Sequence, residues 1–165
     1  MKWQWMAVAG ALACVPAAAQ DFLQQWRDSA AVAMKEFRAA NDETIRKQGW
    51  HFVEGLVNGE GVPLADVFVK DVKAESGAMR TAQVLSAFYQ PASTPEGAGY
   101  RSARATVAVD CGASRLQQRN IAYFESADAS GNPVAPATST AGDAHEPQAG
   151  TPERALVTAV CSAKT

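Results

Sequence analysis

Two cysteines fifty residues apart, Cys111 and Cys161, constrain this chain more than any other feature. Their meaning depends on the N-terminus, which has the three parts of a secretory signal. Lys2 is a minimal positive region, an apolar run follows from Trp3 through Val15, and Pro16 precedes the small residues Ala17-Ala18-Ala19. Cleavage is expected before Gln20. The apolar run is too short to span a bilayer. An exported chain left with an even number of cysteines reads as disulfide-bonded. There is no CxxC redox motif, and His51 and His145 alone make a poor zinc set beside two cysteines. A structural Cys111–Cys161 bond is the expectation.

Cys14 admits two readings. It fits as one more apolar residue of the signal, but Leu12-Ala13-Cys14 also partly matches a lipoprotein box. Acylation there would tether the protein to a membrane surface, and a membrane is expected as a partner only in that case. The formal charge of -2 falls to -3 once Lys2 leaves with the signal. That balance argues against nucleic-acid binding, which needs surplus Lys and Arg against phosphates.

The chain divides on its patterning into the signal (1–19), a helical segment (20–49) and a β-rich remainder (50–165). From Asp21 to Lys47 the spacing of Phe22, Trp26, Ala30, Ala33 and Phe37 predicts one apolar helical face. Asp21 is the expected cap with Gln24 reaching back, Asn41-Asp42 a point of interruption, and Gly49 the stop. Strands are expected over Trp50–Val57, Leu64–Val72, Ala78–Tyr89, Tyr100–Cys111 and Arg115–Ser126. Asn58-Gly59-Glu60-Gly61, Ser76-Gly77, a loop from Pro91 to Gly99, and Gly112 to Ser114 separate them. In the fourth strand Ala103, Ala105, Val107, Val109 and Cys111 alternate with polar residues, so one face is buried with the cysteine on it. In the fifth, Ile121 and Tyr123 are the expected inward residues. Ala127 to Gly150 has almost no large apolar side chain and reads as a mobile surface loop. Thr151-Pro152-Glu153 then opens a last helix ending at Cys161.

Tyr100-Arg101-Ser102-Ala103-Arg104, then Asp110-Cys111, Arg119, Tyr123-Phe124, and finally Thr151-Pro152 leading to Val160-Cys161 form an ordered set. Roughly from Trp50 to Cys161 the chain resembles the surface-adhesin protein E family of small exported envelope proteins. The resemblance implies an α+β fold, an antiparallel β-meander of about five strands with a disulfide-stapled C-terminal helix. To this the chain adds its N-terminal helix. It also implies a non-enzymatic protein of the periplasm or cell surface; the first reading is a binding module that contacts an envelope or extracellular protein, or an envelope polymer. Val69-Lys70-Asp71-Val72 only approximates the family's turn after the second strand, and no host-binding residue is carried over.

Catalytic chemistry finds little support beside that reading, though the scattered carboxylates Asp42-Glu43, Glu54, Glu60, Asp66 and Asp71 leave paired acids for glycoside chemistry open. His51 and His145 are the only candidate bases for a serine triad, and His145 sits in the long loop, where it is expected to be solvated. No glycine-serine elbow, metal pair or phosphate loop occurs, so neither catalysis nor a cofactor is expected. Arg101, Arg104, Arg115 and Arg119 are the candidate basic face, on the paired fourth and fifth strands, for an acidic partner. An accessory role in an envelope complex, docked through the N-terminal helix, is the second reading.

Overall fold

The computed structural model describes residues 17–94, 96–135 and 142–164, with only the backbone given for 17–19. Most of the proposed signal, including Cys14, lies outside them. Five antiparallel strands form one sheet in sequence order: β1 (His51–Val57), β2 (Pro63–Ala74), β3 (Met79–Ser93), β4 (Gly99–Asp110) and β5 (Arg115–Phe124). Helix α1 (Ala17–Lys47) precedes the sheet and α2 (Pro152–Ser162) follows it. The meander and its two helices match the expected α+β class.

The helices cover opposite faces of the sheet, because the strands alternate two apolar sets. Phe68, Leu85, Ala87, Tyr89 and Phe124 point one way and share a core with Phe37 and Ile45 of α1. Val67, Val69, Val84, Val107, Val109 and Leu116 point the other way, against Leu156, Val157 and Val160 of α2. Near-continuous burial along Ala65–Val69 reflects a strand covered on both sides.

Each end of α2 is tied down. Thr151 caps it by accepting from the Arg154 backbone N–H, and Pro152 follows at the first helical position. At the other end Arg80 of β3 donates to the carbonyls of Val160 and Ala163, bringing a cation to the negative helix terminus. The Cys111–Cys161 disulfide, Cα–Cα 5.6 Å, joins the end of β4 to the last turn.

Helix α1 corrects several expectations. It already includes Ala17–Gln20, alanine-rich residues that favour helix, so Asp21 lies within the helix and not at its cap. Gln24 donates forward to Asp28 instead of reaching back. Asn41 does not interrupt the helix; its amide donates to the Phe37 carbonyl one turn earlier. The helix stops as expected at Gly49, with φ 84°. The apolar stripe is only half docked. Ala30 and Phe37 are buried, whereas Phe22 is 67% and Trp26 40% exposed. The side chain of Arg27 reaches the Glu60 carbonyl in the β1–β2 turn, so the turns before it overhang the end of the sheet.

The β region differs in three places. β3 runs through Pro91 to Ser93 and shortens the loop that follows. A register shift between Ala87 and Ala92 takes this stretch out of regular pairing, so the proline breaks no regular ladder. In β5 the fully buried residues are Leu116 and Phe124, on opposite faces, while Ile121 and Tyr123 are half-buried. The cause is a bulge at Arg119, where Thr106 faces Asn120 but Val107 faces Gln118. A one-residue slip of this kind swaps the faces of everything beyond it.

Third, the described parts of the Ala127–Gly150 stretch are packed, not a free loop. Ala127 and Ala129 are buried. Val134 N–H donates to the Tyr123 carbonyl, Gly142 N–H to Gln118, and Leu116 and His145 exchange two backbone hydrogen bonds. The chain thus returns along the outer edge of β5 and covers an edge that would otherwise be open.

His145 is accordingly held, not merely solvated. Its Nε2 lies 3.1 Å from Glu153 in the first turn of α2, and Arg115 donates to the neighbouring Ala144 carbonyl. The hydrogen bond to Glu153 raises the His145 pKa above its ordinary 6.5, against partial burial; the Asp143 carbonyl and the Glu153 charge add to the rise and Arg115 opposes it. The contribution of the pair is complete below 6.5 and is lost as pH rises through the raised value. Proton NMR of the His145 ring should show this elevated midpoint, and Glu153→Gln should return it towards 6.5.

Candidate functional site

Helix α1 is fixed to the sheet by one buried polar group. Asp66, 1% exposed, sits in the apolar run of β2. It accepts from Arg38 Nε at 2.9 Å and Nη2 at 2.6 Å, and from the Tyr89 hydroxyl at 2.7 Å. Gly55 lies opposite on β1, where a Cβ would come within 3.9 Å of both Arg38 and Asp66. Burial, then Asp66, push the Tyr89 phenol above its ordinary pKa, so it stays a donor. This clamp and the docked stripe cover the middle of one sheet face and leave the rest of that face open.

The open part is a grid of polar side chains. Pairing aligns Lys73, Thr81, Ala108 and Gln117 in one row across β2–β5, and Lys70, Gln83, Thr106 and Asn120 in the next. Gln83 donates to the Thr106 hydroxyl at 2.9 Å. Arg104 stands one pair further along. A depression of about 130 Å³ is lined by Asp71, Lys73, Thr81, Gln83 and Thr106, together with Ala82.

Asp71 occupies a bulge of β2, between Lys70 opposite Gln83 and Lys73 opposite Thr81, and has φ 53°. Aspartate tolerates that left-handed conformation better than most residues but not without strain. Asp71→Gly should therefore stabilise the fold by about 0.5–1 kcal/mol, read from denaturant midpoints at unchanged slope.

Two of the cations on this face are ordered by aromatic rings beneath them. Lys70 Nζ lies 4.3 Å from the Trp50 ring centroid and the Arg104 guanidinium 4.8 Å from that of Phe124. Among the described residues, Lys70, Lys73 and Arg104 make no ion pair with a carboxylate.

The four arginines singled out in the sequence are dispersed. Arg101 donates to the Tyr89 carbonyl, beside the irregular stretch of β3. Arg115 holds the Ala144 carbonyl, and Arg119 is paired with Glu75 at 3.0 Å. Only Arg104 stands on the open face without a carboxylate. Cys111 and Cys161 are joined as expected. Lys70 and Lys73 escaped notice because the Lys70-Asp71 pair read as an imperfect turn, whereas it forms a bulge that sets both lysines on the same face. The signal for the clamp was Asp66 inside the apolar run Leu64–Val69, a position that demands a buried partner.

Among the described residues there is no group of three or more His, Cys, Asp or Glu side chains placed to hold a metal. No curated protein and no solved structure matches the chain. A family model does: that of Surface-adhesin protein E matches residues 67–162, from within β2 to the end of α2, and takes in both cysteines. With more than half its length so matched, the chain belongs to the surface-adhesin protein E family.

Proposed function

We propose that this is an exported, non-enzymatic envelope protein that binds another macromolecule through the open part of its α1-side sheet face. Membership of the surface-adhesin protein E family supports an adhesin-like role. The observation that carries the choice of surface is the combination of a strained Asp71 with cations lacking carboxylate partners around one polar depression. The N-terminal pattern of Lys2, apolar run and Ala17-Ala18-Ala19 supports export to the periplasm or cell surface. The mature protein then begins near Gln20 and is free, or begins at an acylated Cys14 and is tethered. Intact mass of the protein recovered from the envelope distinguishes the two and reports the oxidised thiols.

The test of the surface is Thr81→Trp, which fills the depression without changing charge. The wild-type protein should retain a partner from solubilised envelope that the variant does not. Equal retention would move the site elsewhere.

One observation favours a second reading, an assembly accessory that docks by its helix: Phe22 and Trp26 are exposed on the overhang of α1. Deleting the whole helix would remove Phe37 and Ile45 from the core, so the appropriate variant is Phe22→Ser with Trp26→Ser. Loss of partners in that variant alone would favour the accessory role.

A further inference from the structure

From the same face, and resting on the proposal that it is the binding surface, we infer that the partner presents an acidic, extended polypeptide segment.

The chain as a whole is acidic, at -2, yet Lys70, Lys73 and Arg104 gather on one sheet face with Asp71 as the sole carboxylate lining the depression among them. A surface lysine or arginine is usually mobile and its charge well solvated. Here Lys70 and Arg104 rest on the rings of Trp50 and Phe124, which holds the charged heads in place before any ligand arrives. An ordered cation with no anion of its own loses little entropy when one binds.

Spacing comes next. Lys70 is on β2 and Arg104 on β4, two strands apart and one residue pair along. That separates their backbones by about 10 Å across the sheet and about 7 Å along it. A single small anion cannot touch both. An extended chain crossing the strands can, with carboxylates about four residues apart, since an extended chain advances about 3.4 Å per residue. Between the cations lie Thr81, Gln83, Thr106 and Asn120, which offer both donors and acceptors to peptide groups.

The same geometry disfavours an acidic polysaccharide. Sugar rings are held by exposed aromatic faces, and the two rings beneath these cations are buried, with Trp50 2% and Phe124 1% exposed; Phe52, the exposed ring on this side of β1, already faces the Arg38 guanidinium of the clamp, 5.8 Å from its centroid.

Poly-L-glutamate is the probe, titrated into the full mature protein by calorimetry and by amide chemical shifts. It should bind with shifts centred on Thr81, Gln83 and Thr106. Affinity should fall about tenfold or more in Lys73→Glu/Arg104→Glu, both exposed positions. Lys35→Glu, on the solvent side of α1, should leave it unchanged, and Asp71→Asn should tighten it. Circular dichroism confirms that each variant is folded. The inference is overturned by no binding, by equal loss in Lys35→Glu, or by preference for heparin over poly-L-glutamate. If Thr81→Trp still abolishes partner retention while poly-L-glutamate does not bind, the surface stands and its acidic partner falls; if the peptide binds but Thr81→Trp retains its partners, the reverse holds.

Discussion

Arg38→Met should destabilise the protein by about 3 kcal/mol. The variant keeps most of the side-chain volume, so the loss measures charge and hydrogen bonding in place of packing. It leaves Asp66, 1% exposed, with the Tyr89 hydroxyl as its one remaining side-chain partner. A buried carboxylate stripped of its cation typically costs 3–5 kcal/mol. The low end applies because the Arg38 side chain is 37% exposed and water enters where it stood. The double variant Arg38→Met/Asp66→Leu should recover much of that loss, since it removes the orphaned charge together with its partner. Denaturant titration of wild type, both single variants and the double closes the cycle. A deficit near zero in the single variant would mean that α1 is not held on the sheet by this group.

The disulfide should have the largest single effect on stability. Its loop spans 50 residues, for which the chain-entropy model gives about 4 kcal/mol. For a chain of this size that corresponds to a midpoint lower by about 10 °C in Cys111→Ser/Cys161→Ser. The loss should fall mainly on α2, the covalently tied element. Leu156, Val157 and Val160 give an eleven-residue helix a small apolar face, and its ends are held by the Thr151 cap, by Arg80 and by the exposed pairs His145–Glu153 and Arg154–Glu146. Hydrogen exchange in the double serine variant should therefore accelerate first in Leu156–Val160, ahead of β2 and β3 at the centre of the sheet. Equal midpoints for the oxidised protein and the variant would contradict this account.

How much of this was legible in the sequence depended on whether the signal was local. Turn chemistry at Asn58–Gly61, alternation through Ala103–Val109 and the Thr151-Pro152 cap each act within a few residues, and the strands and α2 followed from them. The cysteine pair was legible because the expected signal, once removed, leaves two thiols and one pairing. What escaped was set by the placement of elements in three dimensions. Phe22 and Trp26 carry the same helical spacing as Phe37, and nothing in that spacing reveals that the sheet ends before it reaches them. Bulges at Asp71 and Arg119 each add one residue, an amount that composition does not register, yet they decide which side chains share a face. That is why the four arginines read as a basic patch are scattered, while Lys70, Lys73 and Arg104 come together.

The central claim is that the open part of the α1-side face meets the partner, and site-specific photocrosslinking in the cell envelope tests it most directly. With a photoreactive residue at Thr81, the account predicts a covalent adduct of discrete mass that disappears in the Lys73→Glu/Arg104→Glu background. With the same residue at Phe22 it predicts none. Adducts from Phe22 and none from Thr81 would contradict it and assign the contact to the helix overhang.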